Sequence, residues 1–239
     1  MSAAKERDMK SGNIDWQKAE ESLDRDGYVL LPGLLKAEQC RKLIKGFEEE
    51  AHYRRHIVMQ HHGYGQGEYK YFDYPLPTLV AGLREEFYPP LAKIANQWAD
   101  KLSTDRHFSE TLGEYTAQCH EAGQKRPTPL ILKYGEGDYN RLHQDLYGDL
   151  LFPLQMAILL SDPTSDFDGG EFVLTEQRPR QQSRARIVPL SKGDAVIFAV
   201  NQRPVTGKNR FSRVTMRHGV SDVRKDQRFT LGIILHDAK

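Results

Sequence analysis

The chain has 239 residues, of which 38% are hydrophobic and 28% are charged, as is usual for a soluble globular protein. Its two cysteines, Cys40 and Cys119, lie outside any CxxC motif, so a disulfide framework is not indicated. No apolar run approaches the roughly 18 residues that span a bilayer, and no signal peptide is visible. We therefore expect a cytoplasmic protein without membrane attachment.

The net charge is only +1, but the charges are unevenly distributed along the chain. Residues 178–228 contain 13 lysines and arginines against three aspartates, which gives a local net charge of +10. Such asymmetry is compatible with an anionic partner, and equally with a basic face that contacts only solvent.

The N-terminal half of the chain is predicted to be mainly helical. Residues 1–14 have the character of a flexible tail, and Asp15 can cap a helix over about residues 16–25. A short strand is expected at residues 28–31. Amphipathic patterns predict further helices at about residues 36–51, 78–86, 90–102 and 109–122.

Residues 52–77 interrupt this helical pattern. They contain six aromatic residues, four histidines and three Lys/Arg, together with three glycines and two prolines. Because the glycines and prolines argue against a long regular element, we predict a structured loop with short strands. Residues 15–126 as a whole are predicted to form a helical support that includes this aromatic loop, whose role stays open.

From residue 127 onward the sequence has the character of a β-protein. Short apolar runs alternate with Gly, Pro, Asp or Asn, which is typical of a sandwich or jelly roll. The predicted fold class is α+β: a double-stranded β-helix (jelly-roll) core over residues 127–239, buttressed by N-terminal helices in a single domain over residues 15–239. The expected strands lie at about residues 130–133, 155–160, 172–175, 187–190, 195–200, 214–220 and 229–236.

A His-x-Asp motif, His143 and Asp145, is the first candidate site. Side chains alternate along a β-strand, so these two would point the same way. The motif alone is weak, since a surface strand end gives the same pattern. His218, on a later predicted strand, is the candidate for a distant third ligand, whereas His236 lies at the very end of the β region. Two histidines and one carboxylate suit Fe(II) and leave coordination positions open.

Arg228 begins a mostly apolar strand ten residues after His218. Alternation places Arg228 and Thr230 on one face of this strand, with Phe229 and Leu231 on the other. Burying an unpaired guanidinium is costly, and its planar shape matches a carboxylate through two parallel hydrogen bonds. The pattern predicts a clamp for a dicarboxylate whose other end binds the metal, with Thr230 adding a hydroxyl. A strand-edge arginine that reaches solvent is the alternative.

These residues together resemble the Fe(II)/2-oxoglutarate-dependent dioxygenases, whose pattern is HxD, a late histidine and an arginine ten residues further on. The similarity extends over about residues 15–237, and the sequence from Tyr134 to Asp145 resembles the strand that leads into the site of prolyl-hydroxylase-like members. Three further segments are similar to that fold: GYVLLPGLL at residues 27–35, DGGEF at 168–172 and GDAVIF at 193–198.

More narrowly, the chain resembles a bacterial oxygenase group that is predicted to demethylate damaged nucleic acid. Four segments carry this similarity: GEYKYF at residues 67–72, HQDLYG at 143–148, GGEFVLTEQRPR at 169–180 and MRHGVS at 216–221.

The resemblance implies a cofactor, two cosubstrates and their ligands. Fe(II) would be the metal, and 2-oxoglutarate and O2 the cosubstrates, with succinate and CO2 as products. His143, Asp145 and His218 would hold the iron. Arg228 would bind the distal carboxylate of 2-oxoglutarate, and Tyr134 would donate a second hydrogen bond to it. An ordinary core tyrosine is the alternative for Tyr134.

Three functions stay open at this point. The first is oxidative demethylation of an alkylated base in nucleic acid. In this reading the aromatic loop stacks bases through Tyr69 and Tyr71 and tracks phosphates through Arg54, Arg55 and Lys70, while Arg178, Arg180, Arg184 and Arg186 hold the backbone.

The second function is hydroxylation of a small metabolite, an amino acid or a protein side chain. It is favoured by the apolar sequence at residues 231–235, where alkylation-repair demethylases carry a second arginine. The third is a non-enzymatic metal-binding jelly-roll module, for which the Arg228 clamp would have no purpose. No obligate protein partner is inferred.

Overall fold

The computed structural model describes residue 12, residues 14–207 and residues 210–239. The predicted tail therefore lies almost entirely outside the described residues. The first helix, α1 (Trp16–Asp26), begins where predicted, because the Asp15 side chain accepts a 3.1 Å hydrogen bond from the Lys18 amide. It ends at Gly27, whose φ of 80° lies in the left-handed region that glycine adopts readily.

Three further α-helices follow in the described residues: α2 (Ala37–Gly46), α3 (Thr78–Lys101) and α4 (Leu112–Glu121). The prediction for α2 is wrong at its end, where a separate 3-10 turn at Glu50–His52 takes the place of the last helical residues. None of the described helices is long and apolar enough to cross a membrane.

The prediction of two helices at residues 78–86 and 90–102 is also wrong, because α3 is one helix that runs through Pro89 and Pro90. A proline inside a helix removes a hydrogen bond and favours a break. The buried face of α3 continues on both sides of the prolines, from Leu83 to Trp98, and this packing holds the helix together.

Seven strands form an antiparallel sheet, which we call the major sheet. Two of its strands come from residues 52–77, so the short strands predicted in that region are confirmed. The spatial order is β1 (Tyr28–Leu31), β11 (Ala195–Ala199), β7 (Leu154–Leu159), β15 (Arg228–Ile233), β5 (Leu130–Tyr134), β4 (Glu68–Phe72) and β2 (Tyr53–Val58).

A second antiparallel sheet, the minor sheet, faces the first. Its spatial order is β10 (Arg184–Val188), β9 (Phe172–Gln177), β13 (Phe211–Val220), β6 (Tyr139–His143) and β3 (Gly65–Gln66), with β12 (Gln202–Thr206) also paired to β13. Two short strands, β8 (Phe167–Gly169) and β14 (Val223–Asp226), pair separately. The apolar runs of the sequence do not predict β6, β8, β12 or β14, because their residues are mostly polar. Only the His-x-Asp motif and its resemblance to known oxygenases indicate a strand near β6.

The two faces of the major sheet have different neighbours. Ile131, Ile158, Ile197 and Leu231 pack with helix residues in the main core. The opposite face packs against the minor sheet in two smaller clusters. The alternation predicted for β15 is confirmed, since Leu231 faces the helices. The space between the two sheets is therefore where inward polar side chains can form a site.

Candidate active site

Three side chains that could hold a metal ion converge between the sheets. His143, Asp145 and His218 offer donor atoms that all lie within 4.8 Å of one another. His143 is the last residue of β6 and lies opposite His218 of β13 in the strand register. The Asp145 carboxylate lies between them, with Oδ1 3.5 Å from Nε2 of His143 and Oδ2 3.4 Å from Nε2 of His218.

Asp145 reaches this point by an unexpected route. Because β6 ends at His143, the prediction that His143 and Asp145 alternate along one strand is wrong. Instead, the Gln144 side chain donates hydrogen bonds to Oδ1 of Asn201 (2.7 Å) and to the carbonyl of Met216 (2.8 Å). This anchor fixes the turn that follows β6 and directs Asp145 toward the two histidines.

Electrostatics favour a charged carboxylate at this point. Burial alone would raise the pKa of Asp145, but hydrogen bonds from His143 and His218 outweigh it and hold the pKa well below its usual range. For His218, burial and the charge of neighbouring His143 lower the pKa, which favours the neutral imidazole. For His143, burial also lowers the pKa, but Asp145 more than offsets it, and the net shift is upward.

Further hydrogen bonds orient the three donors. The Tyr147 hydroxyl donates to Oδ1 of Asp145 at 2.7 Å, and Nε2 of Gln155 donates to Oδ2 at 2.8 Å. Nδ1 of His143 lies 2.7 Å from the Arg141 carbonyl, which directs its Nε2 into the site. Sequence reasoning misses Tyr147 and Gln155, although a glutamine in the apolar run of β7 is a signal that could have found one of them. A donor set of two oriented imidazoles and one carboxylate fits Fe(II).

A buried cation faces the same space. The Arg228 side chain is only 1% exposed, and no carboxylate of the described residues lies within ion-pair distance of it. Its Nη1 donates a 2.5 Å hydrogen bond to Oγ1 of Thr230, while Nε is buried without a partner. Burial lowers the pKa of Arg228 to about 10, so the group remains charged at neutral pH. An unpaired buried cation is costly, and a ligand carboxylate would relieve that cost.

Tyr134 and Gly170 border the pocket that contains the Arg228 guanidinium. Tyr134 lies opposite Arg228 in the register of β5 and β15, with its ring centroid 5.6 Å from the guanidinium carbon. The Tyr134 hydroxyl accepts a 3.3 Å hydrogen bond from Nδ2 of Asn140. A Cβ at Gly170 would lie 2.7 Å from Cδ of Arg228, so only glycine leaves room for the arginine in this position.

The tyrosines of the aromatic loop do not form an exposed stacking surface. Alternation along β4 turns Tyr69 and Tyr71 inward, and both are buried. Their rings pack edge to face at 5.3 Å, and Tyr71 packs edge to face against Tyr147 at 6.3 Å. These tyrosines therefore form a wall of the interior beside Asp145. Lys70, which points the other way, is buried against Phe47.

The arginines of the basic segment, residues 178–228, differ in their exposure and in their ion pairs. Arg178 forms an ion pair with Glu176 at 2.7 Å, and Arg186 forms one with Asp26 at 3.1 Å. Arg180 and Arg184 are exposed, and no ion pair joins them to a described residue. Only part of the predicted basic surface is therefore available to a phosphate backbone.

A comparison with protein families identifies the chain. Residues 67–238 match the model of a family described as an oxygenase catalysing oxidative methylation of damaged DNA. The chain belongs to this oxygenase family. Two uncharacterised proteins from two strains of Mycobacterium tuberculosis are 46% identical to the oxygenase over 167 residues, covering 70% of this chain and 72% of each relative.

Solved structures show the same fold. A prolyl-4-hydroxylase of Pseudomonas putida is 14% identical with a TM-score of 0.51, covering 91% of this chain and 96% of its own. A 2OG-Fe(II) oxygenase family oxidoreductase of Burkholderia pseudomallei is 15% identical with a TM-score of 0.53. The match covers 95% of this chain and 93% of the Burkholderia chain. A non-heme α-ketoglutarate-dependent epimerase from nogalamycin biosynthesis is 16% identical with a TM-score of 0.55. The match covers 91% of this chain and 80% of the epimerase chain. The predicted jelly-roll fold and the predicted oxygenase class are confirmed.

Proposed function

We propose that this oxygenase is an Fe(II)- and 2-oxoglutarate-dependent dioxygenase that oxidises methyl groups on nucleic-acid bases. In this proposal His143, Asp145 and His218 hold the iron, while Arg228, Thr230 and Tyr134 hold 2-oxoglutarate. The observation that carries it is the buried, unpaired guanidinium of Arg228 in the same inter-sheet space as the three metal-binding side chains.

The residues of the chain prepare the site for this chemistry. When bound, iron and 2-oxoglutarate use O2 to oxidise a substrate C–H bond, with succinate and CO2 as products. Arg228 fixes one end of the cosubstrate through a two-pronged contact, which its planar fork allows. The rings of Phe172 and Phe198 lie 6.1 and 4.7 Å from the His218 ring, and they exclude water from that side.

The substrate part of the proposal is supported by the family description, which names damaged DNA. Oxidation of an N-methyl group gives a hemiaminal that releases formaldehyde, so chemistry of this kind removes a methyl group. The side chain of His143 is 33% exposed, against 11% for Asp145 and 9% for His218. A substrate therefore enters beside His143, and a target base must be unpaired or flipped out to reach the site.

A cytoplasmic location is also part of the proposal. Cys40 and Cys119 are both buried and free, as is common in a reducing compartment. Such a compartment also keeps iron in the Fe(II) state.

The deciding experiment measures formaldehyde and succinate released from oligonucleotides that carry N-methylated bases, with unmethylated strands of the same sequence as controls. We expect both products in equal amounts from the methylated strand, and neither from the His218→Ala variant. Slow succinate formation without formaldehyde on any strand would reject nucleic acid as the substrate. In that outcome the metal and cosubstrate assignments would stand, and small metabolites, amino acids and peptides would be screened next.

A further inference from the structure

The chain on both sides of His143 and Asp145 exposes large apolar side chains. Leu142 is 49% exposed and Leu146 is 45% exposed, although each neighbours a side chain that points into the site. Only six large hydrophobic side chains among the described residues are more than 40% exposed. Single exposed leucines are ordinary, but a group beside the entrance to a site indicates a binding surface.

An exposed aromatic pair lies beside β6, next to the segment that carries Leu142. Tyr64 is 51% exposed, and its ring stacks on His62 with centroids 5.3 Å apart and planes 22° apart. The Tyr64 carbonyl accepts a 2.9 Å hydrogen bond from the Arg141 amide, which fixes it beside β6. Gly65 makes this close approach possible, since a Cβ there would lie 2.2 Å from the Tyr139 carbonyl oxygen.

The charge of this surface is positive. Arg141 is exposed, and its guanidinium lies near Tyr139, with the guanidinium carbon 5.8 Å from the ring centroid and Nη2 3.4 Å from the hydroxyl. No carboxylate of the described residues forms an ion pair with Arg141. An arginine that is exposed and unpaired is available to an anionic partner.

We propose that His62, Tyr64, Arg141, Leu142 and Leu146, which we call the His143 rim, bind the unpaired strand that carries the target base. The inference rests on the proposed function and names the surface through which that function selects its substrate. Flat aromatic and apolar side chains stack on bases, and an unpaired cation contacts phosphate. A single strand offers exposed base faces for stacking and phosphates for the cation, whereas a paired duplex hides its base faces.

Binding of fluorescein-labelled oligodeoxythymidine, followed by fluorescence anisotropy over a range of salt concentrations, tests the inference. We expect Tyr64→Ala to weaken binding by roughly 5- to 150-fold, since stacking is worth about 1–3 kcal/mol per base. Tyr64→Phe keeps the ring and should bind like the wild type. Arg141→Ala should reduce the slope of log affinity against log salt by about 0.7, the value for one lost contact to a single strand.

Two matched controls lie elsewhere on the surface. Ile187, on β10, is 62% exposed, and Arg217, on β13, is also exposed. Ile187→Ala and Arg217→Ala should leave both affinity and salt slope unchanged. If these controls weaken binding as much as the rim variants do, or if the rim variants bind like the wild type, the inference is overturned. It is also overturned if the rim variants lose binding of an acidic peptide while their DNA binding is unchanged.

The outcome is separable from that of the proposed function. Rim variants that lose strand binding, in a protein that releases no formaldehyde from methylated strands, support the rim and reject the methylated-base substrate. A protein that releases formaldehyde with an unchanged KM in the Tyr64→Ala and Arg141→Ala variants supports the proposed function and rejects the rim.

Discussion

At Asp145 the two carboxylate oxygens receive hydrogen bonds from different parts of the fold. Tyr147 follows two residues later in the same turn, while Gln155 comes from β7 of the major sheet. Each bond restrains one oxygen, so the rotation of the carboxylate about its Cβ–Cγ bond is fixed before a metal arrives. Outer partners of this kind typically contribute 10- to 100-fold to metal affinity.

Tyr147→Phe should therefore weaken metal binding while leaving the fold intact. The phenylalanine ring keeps the packing against Tyr71 and His236, but the donor to Asp145 is lost. We expect the Kd for Mn(II), measured by calorimetry without cosubstrate, to rise about tenfold.

Tyr88→Phe is the matched control for this change. Tyr88 is fully buried, and its hydroxyl has no hydrogen-bond partner among the described residues. Removing that hydroxyl should leave the Kd for Mn(II) unchanged. Equal affinities in wild type and Tyr147→Phe would show that the tyrosine does not orient Asp145.

Arg228→Lys should weaken 2-oxoglutarate binding by at least about tenfold, because charge-assisted hydrogen bonds are worth about 1.5–3 kcal/mol. A lysine loses the two-pronged geometry, and the burial that lowers the pKa of Arg228 to about 10 would also lower that of a lysine. Calorimetry of 2-oxoglutarate binding to the Mn(II)-loaded protein measures the effect, with the exposed Arg217→Lys as control. An unchanged Kd for 2-oxoglutarate would contradict the assigned role.

At the scale of elements, β15 has one face in the helix-packed core and the other toward the space between the sheets. Arg228 and Thr230 face the space between the sheets, while Phe229 and Leu231 face the helices. A substitution on the helix side should therefore change the free energy of unfolding without reaching the proposed cosubstrate pocket around Arg228.

Leu231→Ala is expected to lower the free energy of unfolding by about 2–5 kcal/mol, as is typical when a buried leucine leaves a cavity. Ile187→Ala, on the exposed side of β10, should change it by less than about 0.5 kcal/mol. Urea denaturation measures both values. If Leu231→Ala destabilises the protein no more than Ile187→Ala does, the assigned core face of β15 is wrong.

The same elements explain what the sequence predicts and what it does not. Strand β15 is predicted with both of its faces, because a period-2 pattern in an apolar run is a strong local signal. The continuity of α3 through Pro89 and Pro90 is not predictable locally, since it depends on packing. Polar strands such as β6 owe their extended conformation to their neighbours in the sheet, and their own sequence carries little signal.

The whole molecule brings together residues that local patterns cannot connect. His218 lies 73 residues after Asp145, and the two meet because β13 pairs with β6. Motif spacing predicts His143, Asp145 and His218, but it says nothing of Gln155, which approaches Asp145 from the opposite sheet. The net charge of a sequence segment is also a poor guide to surface charge, because the fold can bury charged residues. Arg203, within residues 178–228, is fully buried and forms an ion pair with Glu176.

The C-terminal segment is joined to several elements by buried polar contacts. Asp237 is fully buried and forms an ion pair with Arg84 of α3 at 3.0 Å, and it lies 2.8 Å from Nε2 of His120 of α4. The preceding residue, His236, accepts a 3.2 Å hydrogen bond at Nδ1 from the Phe152 amide. This bond requires that Nδ1 carry no proton, and burial lowers the pKa of His236 to about 4.

His236 should therefore make the stability of the whole molecule depend on pH. In the unfolded chain a histidine has a pKa near 6.5, so below that value the unfolded state binds a proton that the folded state excludes until the pH reaches about 4. The contribution of His236 is present above pH 6.5 and is lost as the pH falls toward 4, by roughly 2–3 kcal/mol at pH 4.5. In the His236→Gln variant the amide oxygen can still accept the bond from Phe152, but the group does not titrate. Urea denaturation of chelator-treated protein at pH 7 and pH 4.5 should show the wild type losing more stability than the variant, and equal losses would contradict this role of His236.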